Sequence, residues 1–148
     1  MVPIVRPTAV LVEDGLILLV EQRVGQSARA WSLPGGALES GETIEACIVR
    51  EMWEEAGLDV RLDRLLYVCD RIEGDCHVVH LTFAVTRVGG KLRTGAEPEP
   101  SAQPIKSVRM MPLESLQDCG FGERFCELAR DGFPERGTYQ GLVTNIGL

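Results

Sequence analysis

The chain has 148 residues, 45% of them hydrophobic, a composition that predicts one globular domain, residues 1–148, with its own core. A formal net charge of −7 provides no broad basic surface, so it argues against nucleic acid or an anionic membrane as the main partner. The longest apolar runs are too short for a transmembrane helix and the N-terminus lacks a signal-peptide layout, so we expect a cytoplasmic protein.

The five cysteines form no close CxxC pair, which argues against a disulfide framework or a zinc ribbon and favours reduced, partly buried thiols. The segment "CDRIEGDCHVVH" places two cysteines near both histidines, a set that resembles soft metal ligands. Strand alternation, however, directs His77 and His80 to opposite faces. We therefore expect ordinary strand residues rather than a zinc site.

The N-terminal third predicts strands and a loop. "TAVLVEDGLILLVEQR" indicates two strands joined at Asp14-Gly15, because Asp-Gly between apolar runs is a strong hairpin signal. The following segment is rich in glycine and serine, and only its short piece "WSL" is expected to pair with a strand.

The middle of the chain predicts a helix followed by a second antiparallel pair. Residues from Thr43 to Ala56 suit a helix, with Thr43 as N-cap and Gly57 as the C-terminal glycine. Two long strand patterns then flank "EGD", and Gly89-Gly90 indicates a further turn before "KLR".

The C-terminal part predicts a last strand in "IKSVRMM", a short helix in "LESL" and a longer helix in "FGERFCELARDG". The tail "GTYQGLVTNIGL" carries enough apolar surface to dock on the body or on a second subunit, so a homodimer is one of two alternatives. The irregular order of strands and helices favours an α+β, layered architecture over a doubly wound sheet.

The helix carries an unusual face. Glu51, Glu54 and Glu55 fall on one side, among apolar residues that should turn inward: Ile44, Cys47 and Ile48. A second apolar arc is predicted from Val49, Met52, Trp53 and Ala56. Interleaved carboxylates break the usual amphipathic pattern, and such violations tend to mark functional sites, although a solvated acidic face is the plain alternative.

Crowded carboxylates need protons or cations, and Mg²⁺ or Mn²⁺ prefers oxygen ligands. The preceding "LPGGALESGE" adds two adjacent glycines and further carboxylates. Glycine backbone can approach a metal or a phosphate closely, so this loop favours the metal interpretation.

These residues have a fixed spacing: five residues separate Gly36 from Glu42, and seven more precede Arg50. The pattern resembles the complete box of the Nudix hydrolases, which fixes nine positions over 23 residues. They are Gly36, Glu42, Arg50, Glu51, Met52, Glu54, Glu55, Gly57 and Leu58. A looser resemblance covers most of the chain.

The resemblance implies an α/β/α sandwich with a mixed central β-sheet, and hydrolysis of a nucleoside diphosphate linked to another moiety with Mg²⁺ or Mn²⁺. It implies metal binding by three carboxylates and one backbone carbonyl: Glu51, Glu54, Glu55 and Gly35. Arg50 would hold the carboxylates by a salt bridge, and Glu42 would hold loop and helix together. By its chemistry a carboxylate can take the proton of the attacking water, either Glu54 or Glu51 in the helix or a loop residue from elsewhere.

Residues outside the box are less constrained. Glu97 and Glu99 are alternative general bases or solvated loop acids. Arg23 is a candidate contact for a substrate phosphate or a surface charge at a strand end. Trp31 either stacks on a base or packs beneath the loop, whereas Trp53 is expected to pack or to form an interface.

The small-molecule nucleotide substrate is left open, because tags of the NADH, ADP-ribose and coenzyme A subfamilies are absent; Glu73 lies where many ADP-ribose hydrolases carry proline. A sugar nucleotide or an oxidised nucleoside triphosphate is favoured. The competing hypothesis is a non-catalytic Nudix-fold domain that senses a nucleotide.

Overall fold

The computed structural model describes residues 2–22, 30–94 and 105–148, without the side chains of Lys106 and of residues 138–141. Among the predicted site residues, Arg23, Glu97 and Glu99 lie outside these ranges. No helix in the described part of the chain is long and apolar enough to cross a membrane.

The first sheet is mixed and has the strand order β1-β6-β5-β8. Its strands are β1 (Ile4–Val10), β5 (Leu58–Glu73), β6 (Cys76–Gly90) and β8 (Thr138–Leu142). Strands β5 and β6 form the long antiparallel pair predicted around "EGD", whereas β1 runs parallel to β6 and β8 runs parallel to β5.

The second sheet is antiparallel and centres on β3 (Leu16–Gln22). β3 pairs with β2 (Val12–Glu13), β4 (Trp31–Ser32) and β7 (Ile105–Pro112). The predicted hairpin is confirmed, because Asp14 and Gly15 both have positive φ, 51° and 76°, as a tight two-residue hairpin turn requires. The predicted pairing of "WSL" is also confirmed by β4.

Alternate residues of β3 enter two hydrophobic clusters. Ile17 and Leu19 belong to one cluster, and Leu18 and Val20 belong to the other. Because successive strand residues point to opposite faces, the sheet is covered on both sides. This layering confirms the predicted α+β sandwich with a mixed sheet.

One helix covers each side. Helix α1 (Ile44–Ala56) contributes Ile48 and Met52 to the second cluster, and α2 (Glu123–Arg130) contributes Phe125 and Leu128 to the first. A 3₁₀ turn at Leu113–Ser115 follows β7, as predicted for "LESL".

The second apolar arc of α1 is only partly buried. Met52 and Ala56 are buried, but the side chains of Val49 and Trp53 are 37% and 48% exposed. Helical spacing alone assigned four residues to one arc, whereas the buried residues of α1 in the second cluster are Ile48, Met52 and Ala56.

The C-terminal tail docks on the body of the same chain. The prediction that "IKSVRMM" is the last strand is wrong. A later strand, β8, was not predicted from the sequence and pairs with β5. A second 3₁₀ turn (Val143–Ile146) buries Val143 and Ile146 in the first cluster. A homodimer stays a prediction.

The turn predicted at Gly89-Gly90 occurs at the second glycine. Gly89 still pairs with Asp59, and β6 ends at Gly90, whose φ is +82°. A Cβ there would overlap the carbonyl oxygen of Gly57. Only glycine allows this close approach of β6 to the end of α1.

All five cysteines are free thiols, as predicted. Burial raises the pKa of the Cys47 thiol to about 12 and that of Cys69 to about 11. Both thiols are therefore poor nucleophiles near neutral pH, because the thiolate is the reactive form.

Candidate active site

Helix α1 is capped at its N-terminus by Thr43 and at its C-terminus by Gly57. The Thr43 hydroxyl accepts a hydrogen bond from the amide of Ala46 at 3.0 Å, which satisfies one unpaired donor of the first turn. Gly57 takes the left-handed conformation, φ 72°, and closes the last turn. The two caps agree with the predicted helix and fix where its glutamates lie.

Arg50 connects the helix to the preceding loop through a fork-to-fork ion pair. Its Nε and Nη2 donate to the two carboxylate oxygens of Glu42 at 2.6 and 2.9 Å. This bidentate geometry is among the strongest forms of charge-assisted hydrogen bond. The hydrogen bond from Arg50 is the main reason why the pKa of Glu42 falls to about 2.

The remaining nitrogen of Arg50 faces the helix carboxylates. Nη1 donates to Glu51 Oε1 at 2.9 Å and to Glu54 Oε2 at 3.2 Å. The mutual repulsion expected for neighbouring glutamates is therefore reduced by one guanidinium group. The hydrogen bonds to Glu42 and Glu51 in turn raise the pKa of Arg50, so its charge is permanent.

Glu55 is the most buried of the three carboxylates, with 8% of its surface exposed. Burial raises its pKa well above the usual range, and the hydrogen bond and charge of Glu51 raise it further. The amide of Gly35 donates to Glu55 Oε1 at 3.4 Å. A buried carboxyl of this kind favours either a proton or a nearby cation.

The glycine-containing loop runs along the free edge of β1. The amides of Ala9 and Leu38 donate to the carbonyl oxygens of Pro34 and Val5 at 2.9 and 2.8 Å. This pairing brings the loop against the helix, where a Cβ on Gly36 would overlap the carboxylate of Glu51. A glycine at this position lets a charged side chain lie directly against the backbone.

Arg6 is a site residue that the sequence analysis missed. It lies in β1, and its Nη2 donates to the carbonyl oxygen of Gly35 at 3.3 Å. Its positive charge also counteracts the rise in the pKa of Glu55. An arginine inside the otherwise apolar strand "IVRPTAV" was the available signal, but nothing local indicated what it contacts.

The structure brings together five of the predicted residues around the loop and α1: Gly35, Arg50, Glu51, Glu54 and Glu55.

Trp31 is half-buried in β4 and packs against the first hydrophobic cluster, which favours the packing role. Trp53 lies on the exposed side of α1, where the Arg93 guanidinium is 5.3 Å from its ring centre. This contact fits the expected packing role.

The donor set fits a hard divalent cation by chemistry. It consists of carboxylate oxygens and one backbone carbonyl, the ligands that Mg²⁺ and Mn²⁺ prefer. In the side-chain conformations seen, Glu51 and Glu54 face Arg50, and no three Asp, Glu, His or Cys side chains of the described ranges converge on one point. Glu51 is already hydrogen-bonded to Glu55, so a cation at this cluster would have to replace the contacts that Glu51 and Glu54 make with Arg50.

Comparison with known proteins identifies the family. The family model described as NUDIX domain matches residues 3–126. The chain belongs to the Nudix family. The matched region contains β1 to β7, the start of α2, and the site residues from Gly35 to Glu55.

Individual relatives agree with this assignment. The chain is 35% identical over 95 residues to an ADP-ribose pyrophosphatase of Methanocaldococcus jannaschii, covering 63% of this chain and 56% of that protein. It is 44% identical over 85 residues to a putative 8-oxo-dGTP diphosphatase 2 of Mycobacterium tuberculosis, covering 53% and 58%. The chain thus spans about half the length of these curated relatives.

A solved structure of a MutT Nudix hydrolase from Burkholderia pseudomallei is 29% identical and superposes with a TM-score of 0.66, over 77% of this chain and 86% of that chain. A Nudix hydrolase from Nitrosomonas europaea covers 97% of this chain with a TM-score of 0.67 at 21% identity, which shows the fold alone.

Proposed function

We propose that this Nudix protein hydrolyses a pyrophosphate bond in a nucleoside diphosphate linked to another moiety, with Mg²⁺ or Mn²⁺. The observation that carries the proposal is the ion-pair network of Arg50 with Glu42, Glu51 and Glu54, beside buried Glu55. A carboxylate cluster at a glycine-rich loop that contains groups with shifted pKa values, here Glu42 and Glu55, is typical of a catalytic site.

The chain's own residues divide the work. Glu51, Glu54, Glu55 and the carbonyl of Gly35 would hold the cation, and Arg50 would limit the repulsion between the carboxylates. The bound cation would supply charge neutralisation at the phosphates and a more acidic attacking water. Since the protein carries a net charge of −7, an anionic substrate needs this local positive charge.

The proton of the attacking water needs an acceptor within hydrogen-bond reach. Glu54, 26% exposed at its side chain, is more accessible than Glu51 at 14%, and we assign it the role of general base. Glu97 and Glu99 remain the alternatives from the loop outside the described residues. Arg23 remains the candidate contact for a substrate phosphate.

The names of the relatives suggest where to look for the substrate. They include an ADP-ribose pyrophosphatase and a putative 8-oxo-dGTP diphosphatase. We therefore favour a sugar nucleotide or an oxidised nucleoside triphosphate, acting as a free small molecule in the cytoplasm.

A substrate panel tests the proposal. The purified protein with Mg²⁺ should release product from at least one dinucleotide, sugar nucleotide or nucleoside triphosphate, measured by chromatography.

Glu54→Gln should lower kcat by about two to four orders of magnitude, because it removes a charged ligand and a general base. Glu45→Gln makes the same charge change at an exposed position of the same helix and should keep kcat within about twofold.

Two results would contradict the proposal. Nucleotide binding without turnover across the panel would favour the non-catalytic sensor. Near-normal kcat in Glu54→Gln would remove Glu54 from the reaction.

A further inference from the structure

Arg6 contacts the same loop residue that faces Glu55. The carbonyl oxygen of Gly35 accepts a hydrogen bond from Arg6 Nη2 at 3.3 Å, and the amide of Gly35 donates to Glu55 Oε1 at 3.4 Å. One residue therefore lies between a fixed positive charge and a buried carboxyl. The charge of Arg6 reaches this carboxyl, because it acts against the effect of burial on the pKa of Glu55.

Arg6 and Arg50 are held very differently. Arg50 forms ion pairs at 3.2 Å or less with three carboxylates. Within residues 2–22, 30–94 and 105–148, by contrast, Arg6 has no carboxylate within 4.0 Å and donates to a neutral carbonyl. A neutral acceptor binds a guanidinium more weakly than a carboxylate does, so Arg6 is the arginine that another cation can displace.

The carbonyl of Gly35 and the carboxylate of Glu55 are also two of the ligands proposed above for the divalent cation. A guanidinium at this carbonyl repels a doubly charged ion over a short distance in a partly buried site. We infer that Arg6 competes with the divalent cation for the Gly35 carbonyl and for the negative charge of the Glu55 carboxylate, and so weakens metal binding. The inference rests on the proposed function, since it assumes that these residues bind the metal.

Competition predicts that removal of the Arg6 charge tightens metal binding. Arg6→Gln and Arg6→Met should each lower the Kd for Mn²⁺ by about three- to tenfold, measured without nucleotide from the electron paramagnetic resonance signal of free Mn²⁺. Arg6→Lys keeps the charge and should stay within about twofold of the wild type. Circular dichroism checks that each variant is folded.

A matched control separates the local effect from net charge. Arg61→Gln makes the same charge change at a side chain that is 64% exposed and paired with Asp63, and should leave the Kd within about twofold because exposed charges are screened. An unchanged Kd in folded Arg6→Gln would overturn the inference. A raised Kd would overturn it too, because Arg6 would then position the carbonyl for the metal.

The wild-type protein provides a second test that does not depend on the stability of a variant. The arginine Nε–H signal of Arg6, assigned by its loss in Arg6→Lys, should shift during a Mg²⁺ titration with the midpoint of metal binding. No shift at saturating Mg²⁺ would contradict competition. Absence of any Mn²⁺ binding to the wild type would instead reject the metal site of the proposed function, and the inference with it.

Discussion

At the scale of single residues, Arg50 reduces the electrostatic repulsion within the glutamate cluster. In sequence, neighbouring glutamates on a helix repel each other. In the structure, Arg50 donates to two of them and to Glu42 in the loop. The cluster is therefore a partly buried network in which three carboxylates share one arginine, rather than a solvated acidic face. Its half-buried position makes the ion pairs worth more than exposed ones.

The Glu42–Arg50 pair makes the stability of the protein depend on acid. The pKa of Glu42 falls from 4.5 to about 2 in the folded protein. A carboxyl with a lowered folded pKa stabilises the fold above its unfolded pKa, and this contribution is lost as pH falls toward the folded value. Glu42→Gln should thus lower the free energy of unfolding at pH 7 and flatten its decline between pH 4.5 and 2.

Urea unfolding of the wild type and the variant over this pH range measures the effect. Glu45→Gln, an exposed carboxyl on the same helix, should keep the slope of the wild type. Equal slopes in Glu42→Gln and the wild type would show that the ion pair does not stabilise the fold.

At the scale of elements, α1 and the glycine loop act as one unit. The loop pairs with β1 through its backbone, and α1 packs its buried stripe on the sheet. The caps at Thr43 and Gly57 set the helix ends, so they also set which turn presents the glutamates to the loop. Local chemistry at the helix ends therefore contributes to the geometry of the site.

Loss of the N-cap should cost stability. Thr43→Ala removes the acceptor for the amide of Ala46 and should lower the free energy of unfolding by about 1 kcal/mol. Thr43→Ser keeps a hydroxyl acceptor and should lie within about 0.5 kcal/mol of the wild type. Urea denaturation at neutral pH compares the three proteins, and equal losses in both variants would argue against the cap.

At the scale of the whole molecule, the C-terminal tail completes the fold opposite α1. Strand β8 adds to the free edge of β5, and the following turn buries Ile146 beside the side chains of α2. The tail is thus part of the core on the side of the sheet away from the glutamates.

A pair of tail substitutions tests this packing. Ile146→Ala removes a side chain that is 1% exposed and should lower the free energy of unfolding by about 2–4 kcal/mol through lost burial and a cavity. Leu142→Ala alters a tail side chain that is 46% exposed and should cost about 0.5 kcal/mol or less. If thermal or urea unfolding gives the same small loss for both, the tail does not belong to the cooperative core.

The sequence by itself determined the features that depend on neighbouring residues. Caps at Thr43 and Gly57, the Asp14-Gly15 turn and the three-glutamate spacing all follow from backbone preferences and helical periodicity, which act over a few residues. The family pattern added the association of Gly35 and Arg50 with these glutamates.

Only the tertiary structure decided which distant segments meet. The contact of Arg6 with Gly35, the parallel pairing of β8 with β5, and the exposure of Val49 and Trp53 each depend on residues far apart in the chain or on which stripe of a helix the sheet covers. Periodicity assigns a residue to a face, but burial depends on the surface that packs against it. For the same reason, the spacing of the sequence predicts the three glutamates on one side of α1, whereas the position of Arg6 beside Gly35 follows only from the tertiary structure.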